Sequence, residues 1–71
     1  MERFLRYGLE KGRKIRAVLL LDGRMVQKPV LVLALTADTA TLQLTKNGAP
    51  ITIPLADILG CDYARGDHGE D

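Results

Sequence analysis

The first stretch of the chain places apolar residues among charged ones with the period of an amphipathic helix. Phe4, Leu5 and Leu9 fall at helical spacing. Gly12 follows where a helix of this length would end, and glycine is the usual left-handed residue after a helix. The pattern predicts one short helix over residues 2–11, which must dock its apolar side on the rest of the protein to persist.

Two aliphatic segments then flank the dipeptide Asp22-Gly23. Residues 14–21 and 25–35 are rich in Ile, Val and Leu, and an Asp-Gly pair tolerates the positive φ angles that a two-residue hairpin turn requires. These segments predict two antiparallel strands. Because Pro29 lacks a backbone N–H, we expect it at a bend or bulge that divides the long second strand.

The second half of the chain alternates more regularly and is divided by turn residues. Leu42 and Leu44 alternate with Thr and Gln, which is typical of a half-exposed strand, and Asn47-Gly48 is a second hairpin signal. The predicted elements are a turn at 36–39, strands at 40–45 and 51–53, a helical turn at 55–58 and a last strand from 59 to 63 or 64. The polar, Gly-rich residues 65–71 are expected to form a disordered tail.

The order and size of these elements select a fold class. A helix, three strands of which the second is long and bent, a short fourth strand, a helical turn and a fifth strand are typical of a small closed barrel. A chain of 71 residues holds one domain, which we assign to residues 1–64. The sequence predicts a mainly β (α+β) protein, a five-stranded SH3-like or Sm-like barrel with a short N-terminal helix.

Two segments resemble a known family. The run LEKGRKIR at residues 9–16, followed by an aliphatic strand and Asp22-Gly23, resembles the opening of the WYL domain. This domain is a Sm-like barrel of bacterial transcriptional regulators and phage-defence proteins. The closing segment of that family is similar to the run IPLADI at residues 53–58. Where the family has Trp-Tyr-Leu on its third strand, this chain has Ala40-Thr41-Leu42 and keeps only the leucine. The resemblance implies a regulatory module that senses nucleic acids or nucleotide-like ligands through basic and polar residues.

Charge is distributed unevenly along the chain. Residues 1–30 have a net charge of +5 and the remainder −4, although the whole chain carries only +1. The basic residues on the predicted hairpin are the candidates for contact with nucleic acid or another anion: Arg13, Lys14, Arg16, Arg24 and Lys28. The competing interpretation is a solvated strand face with ion pairs to nearby acidic residues.

The strands contain more apolar residues than a barrel with one buried face needs. Residues 19–21 and 30–35 are apolar at consecutive positions, whereas a strand with one buried face should alternate. We therefore expect a homo-oligomer with the second strand at the interface, through Val30, Val32, Leu33 and Leu35. This supports a second hypothesis, a structural or regulatory module for protein–protein interaction.

Composition gives no support to catalysis or to a bound cofactor. The chain has no serine, a single cysteine, Cys61, and a single histidine, His68, in the predicted tail, so we expect no enzymatic activity, metal site or cofactor.

Its longest apolar run is six residues, whereas a membrane-spanning helix needs about 20. With no secretory signal pattern near the start, we expect a cytoplasmic protein that does not cross a membrane.

Overall fold

The computed structural model describes residues 2–69. One helix precedes five strands. The elements are α1 (Glu2–Lys11), β1 (Ile15–Leu21), β2 (Arg24–Leu35), β3 (Thr39–Gln43), β4 (Ile51–Pro54), a 3-10 turn (Leu55–Asp57) and β5 (Ile58–Tyr63). All the predicted elements are present, with their ends shifted by one or two residues. No helix within this part of the chain has the length and apolar character to cross a bilayer.

The five strands form one antiparallel sheet in the order β4-β3-β2-β1-β5. β2 joins the two halves of the sheet, because it pairs with β1 up to Val30 and with β3 from Leu31 onward. Within residues 2–69, β4 and β5 are the two edges of the sheet and are not paired with each other. The prediction of a mainly β protein with five strands and an N-terminal helix is confirmed, but the sheet is open, and a closed barrel is not observed.

The hairpin between β1 and β2 confirms the turn predicted at Asp22-Gly23. Asp22 has a φ of 52° and Gly23 a φ of 78°, and positive φ at both central residues is what a type I′ turn requires. Leu21 and Arg24 close the turn as register partners. The second signal, Asn47-Gly48, lies in the longer connection between β3 and β4.

The expectation for Pro29 is wrong in position. β2 runs through Pro29 opposite Arg16 without a register shift, and the irregularity falls between Val32 and Ala34 in the pairing with β3. Counting from the two-residue turn, every second pair exchanges hydrogen bonds, and the pair of Arg16 and Pro29 is one that does not. β3 pairs only from Leu31 onward, so the missing N–H of Pro29 costs no ladder bond.

The edge strand β5 contains a bulge. Its register with β1 shifts between Val18 and Leu19, because Val18 pairs with Gly60 and Leu19 with Ile58. Leu59 is therefore an extra residue on β5. An extra residue of this kind bends a strand and increases its local twist.

The core lies between one face of the sheet and α1. Ile15, Ala17 and Leu19 on β1 are buried, whereas Arg16 and Leu20 are exposed, which is the period of two expected for a strand with one buried face. The largest fully buried side chains are Leu5, Ile15, Leu19, Leu42 and Val30. Burial of a side chain of this size stabilises the fold by about 1.5–3 kcal/mol.

Gly8 allows α1 to approach the sheet closely. A Cβ atom at this position would lie 3.1 Å from Cγ2 of Ile15 and 3.3 Å from both the Arg13 carbonyl oxygen and Cγ2 of Val32. Glycine in the middle of a helix costs about 1 kcal/mol relative to alanine. In α1 the lower helix propensity of Gly8 is combined with a close contact between the helix and the sheet, which a larger side chain would prevent.

Candidate functional site

The five predicted basic residues do not form one patch. Arg16 lies on the exposed face of β1, whereas Lys28 is opposite Ala17 and so shares the core face, where it is half-buried. Arg24 pairs with Leu21, about 17 Å along β1 from Arg16. Arg13 and Lys14 lie in the connection between α1 and β1. The structure therefore brings only Arg13, Lys14 and Arg16 to the same end of the sheet.

Arg16 is held against the end of β5. Its Nε donates to the Tyr63 carbonyl oxygen at 2.9 Å, and its Nη2 lies 3.4 Å from Oδ2 of Asp62. The register of Arg16 with Asp62 places these groups side by side. Both side chains of the ion pair are about half exposed, so the pair adds little to stability and leaves the guanidinium accessible.

All three aromatic residues of the chain meet at this end of the molecule. The centroid of the Tyr63 ring lies 4.9 Å from that of Phe4 and 5.1 Å from that of Tyr7, both in edge-to-face geometry. Phe4 and Tyr7 are three residues apart on α1 and so share one side of the helix. The guanidinium carbon of Arg3 lies 4.9 Å from the Phe4 ring centroid, a cation–π contact.

A polar network joins α1 to the segment after β5. The Tyr7 hydroxyl donates to both carboxylate oxygens of Asp67, at 2.8 and 3.0 Å, and accepts from Nη1 of Arg13 at 2.9 Å. Arg13 Nη1 is also 3.8 Å from Oδ1 of Asp67. The backbone N–H of Gly69 donates to Asp67 at 2.9 Å.

These contacts set the protonation of the two acidic groups in the network. Hydrogen bonds, first from the Gly69 N–H and then from the Tyr7 hydroxyl, lower the pKa of the Asp67 carboxyl. Burial, and next the hydrogen bond to Asp67, raises the pKa of the Tyr7 hydroxyl. Asp67 is therefore ionised near neutral pH, and Tyr7 keeps the proton that it donates.

Residues 64–69 fold back against the aromatic cluster. A turn forms where Asp67 N donates to the Ala64 carbonyl oxygen at 2.9 Å, and Gly69 lies so close to Tyr63 that a Cβ would be 2.6 Å from the ring. The disorder predicted for 65–71 stays a prediction, and residues 70–71 lie outside the described part of the chain.

A shallow depression of about 340 Å³ opens beside Tyr63. Its lining includes the basic residues Arg16, Arg65 and His68 and the acidic residues Asp62 and Asp67. We call the six residues that join this depression to the rings the arginine–aromatic surface. They are Arg3, Phe4, Tyr7, Arg13, Arg16 and Tyr63. The three rings were not among the residues predicted from the sequence, although the spacing of Phe4 and Tyr7 on one helix was a signal for the cluster.

The predicted interface on β2 has to be revised. Val30 and Val32 are buried in the core of the chain itself, so their side chains cannot contact a second copy. Leu35 is half-buried, and Leu33 is 45% exposed. An interface through Leu33 and Leu35 stays a prediction, whereas Val30 and Val32 were included because the consecutive apolar residues of β2 gave no indication of which positions face inward.

Other large apolar side chains are exposed on the outer face of the sheet. Leu20, Met25 and Leu59 are 38%, 72% and 48% exposed. Leu20 and Met25 are register partners, and Leu59 is the bulge residue of the strand on the other side of β1. We call these three residues the outer apolar patch.

The remaining candidates for chemistry are Cys61 and His68. Cys61 is half-buried, and burial raises the pKa of its thiol. His68 is exposed, and among residues 2–69 no three His, Cys, Asp or Glu side chains lie together as metal ligands. No protein-family profile, no curated protein and no solved structure matches the chain.

Proposed function

We propose that the chain is a non-enzymatic binding module that contacts single-stranded nucleic acid through the arginine–aromatic surface. The observation that supports this most directly is the meeting of all three aromatic rings with Arg3, Arg13 and Arg16 at one end of the molecule. Rings that stack bases beside cations that neutralise phosphates are the usual means of binding single strands.

Local charge favours an anionic ligand at this surface. Within residues 2–69, Arg3, Arg13, Arg16 and Arg65 lie around it, and Asp67 and Asp62 contact Arg13 and Arg16. The net charge of +1 for the whole chain therefore understates the positive charge at this end. Binding that depends on a few arginines should be moderate in affinity and sensitive to salt.

The proposed function agrees with the SH3-like or Sm-like fold class and with the resemblance to WYL domains, both of which were inferred from the sequence. A sheet whose central strand changes partners at Leu31 is compatible with a strongly curved SH3-like or Sm-like half-barrel, and a regulatory role like that of WYL domains agrees with nucleic-acid contact. A cytoplasmic location goes with this role, since the single cysteine leaves no need for an oxidising compartment.

Binding to labelled single-stranded RNA and DNA of about 12 nucleotides, followed by fluorescence anisotropy, tests the proposal. We expect affinity to fall about tenfold between roughly 50 and 200 mM salt if two phosphates are neutralised. The double variant Arg3→Ala/Arg16→Ala should bind about tenfold more weakly than the unchanged chain, because both cations lie at the proposed surface.

The matched control is Arg24→Ala/Lys46→Ala, which removes two exposed positive charges that do not belong to the arginine–aromatic surface, at the start of β2 and in the connection between β3 and β4. We expect it to weaken binding by less than about threefold. Equal losses of affinity in the two double variants would show that binding depends on the net charge of the protein and not on the arginine–aromatic surface. No measurable binding of either nucleic acid at the lower salt concentration would reject the proposed function.

The outer apolar patch favours a second candidate function, a protein–protein interaction module that associates with its own copies. Single exposed apolar residues are ordinary on protein surfaces, but Leu20, Met25 and Leu59 lie on three adjacent strands of one face. An apolar face of this kind is what a second copy could cover.

Light scattering at high protein concentration tests this second candidate. If the patch is the interface, Met25→Lys should reduce the mass toward that of one chain, because it places a charge where apolar surface would be buried. The control Asn47→Lys adds the same charge in the connection between β3 and β4 and should leave the mass unchanged. A monomeric unchanged chain would contradict this candidate.

A further inference from the structure

The site around Tyr7 and Arg13 is already occupied by an anion that belongs to the chain. The Asp67 carboxylate accepts two contacts from the Tyr7 hydroxyl, at 2.8 and 3.0 Å, and lies 3.8 Å from Arg13 Nη1. Tyr7 and Asp67 are 60 residues apart in sequence, so this contact is a product of the fold. A phosphate oxygen is an acceptor of the same charge and would suit the same donors.

We propose that Asp67 is an internal competitor: it fills an anion site formed by Tyr7 and Arg13, and a phosphate of the bound nucleic acid takes its place. This inference rests on the proposed function, because it assigns a regulatory contact to the same surface. Segment 64–69 then covers the site in the unbound protein and moves aside when a strand binds.

The contacts of this segment are few enough for it to be displaced. Beyond Asp67 itself, it is held by the turn bond from Asp67 N to the Ala64 oxygen and by the packing of Gly69 on the Tyr63 ring. Arg65, Gly66 and His68 are exposed. Gly66 and Gly69 have φ angles of 84° and 79°, and glycine at these positions changes conformation at little steric cost.

Displacement would improve the site in two ways. It removes the Asp67 carboxylate from beside Arg13 Nη1, so a phosphate oxygen can take its position near that guanidinium. It also uncovers the part of the Tyr63 ring on which Gly69 packs, which enlarges the surface on which a base can stack.

The variant Asp67→Asn tests the inference, since it keeps the size of the side chain but removes the charge. We expect it to bind the labelled single-stranded RNA about three- to fivefold more tightly than the unchanged chain, as removal of a competing, partly exposed ion pair predicts. The control Asp22→Asn removes the same charge at the hairpin turn, about 20 Å along β1 from Arg16, and asparagine suits the positive φ there. A gain for Asp67→Asn no larger than that for Asp22→Asn would overturn the inference.

A measurement on the unchanged chain covers the case in which Asp67→Asn does not fold. In a titration with the RNA, followed by NMR, the amide signals of Gly66 and Gly69 should move toward the positions of an unstructured chain as the site fills. Titration with AMP would show whether a single free nucleotide displaces the segment as well. Saturation with RNA while the Gly69 signal stays in place would overturn the inference and leave the proposed function standing, whereas no RNA binding by any variant would remove both.

Discussion

Replacing Leu42 with alanine is expected to lower the free energy of unfolding by about 3 kcal/mol, within the range of about 2–5 kcal/mol for buried leucines. Leu42 is fully buried on β3 among the largest core side chains. A domain of 71 residues is stable by only about 4–11 kcal/mol. One cavity therefore removes a large fraction of the stability, and urea denaturation followed by circular dichroism measures the loss.

The matched control for this prediction is Leu33→Ala. Leu33 is a leucine on β2, the strand next to β3, but is 45% exposed, so the same truncation should cost less than about 1 kcal/mol. Similar losses for the two variants would contradict the assignment of the inner and outer faces. A loss at Leu33 larger than that at Leu42 would mean that Leu33 is covered in solution.

Replacing Gly8 with valine is expected to destabilise the protein by about 2 kcal/mol. The first added carbon would lie 3.1 Å from Ile15 and 3.3 Å from Val32, so α1 must move away from the sheet or the core side chains must shift. Overpacking of this kind costs about 1–3 kcal/mol, and the better helix propensity of valine offsets only a few tenths of that. Thermal unfolding would show the change as a lower midpoint.

Gly60→Val is the corresponding control on β5. A Cβ at Gly60 meets no atom within 4 Å, and a β-branched residue suits a strand, so stability should change by less than about 1 kcal/mol. If Gly8→Val were as stable as the unchanged chain, the close approach of α1 to β1 and β2 would be wrong.

The strands and the first turn could be predicted because their signals are local. Asp22-Gly23 specifies a tight turn through the backbone angles that its two residues tolerate. Pro54 ends β4 and begins the 3-10 turn, and the alternation around Leu42 marks β3. Each of these features depends on residues within a few positions of one another.

The details of β2 could not be predicted, because its apolar run contains no alternation. The same sequence allows either set of side chains to face inward, and the choice depends on pairing with β3, which begins at Leu31. The position of the bulge near Leu33 and the burial of Val32 opposite Leu42 follow from that pairing, whereas Val30 is buried opposite Ile15 on β1. Pro29 was the visible irregularity in the sequence, but it lies where a missing N–H has no effect.

The candidate site could be predicted only in part, since most of its contacts join distant segments. Arg13 and Arg16 were found from the charge pattern, but their partners Asp67 and Tyr63 lie near the other end of the chain. The register of β1 with β5 brings these residues together, and no short motif encodes that pairing. Arg24 and Lys28 were included because they lie on the hairpin partner of the strand that contains Arg16, although the fold places them apart from it.

The two free edges of the sheet differ from those of aggregation-prone proteins. An exposed edge can recruit strands from other molecules and extend into fibres. On β4 the last residue, Pro54, has no N–H to offer an incoming strand, and on β5 the extra residue Leu59 interrupts the regular repeat of backbone groups. Each border of the sheet thus carries a local obstacle to amyloid-like growth, which lets a small protein with many aliphatic residues keep its strands short and its edges open.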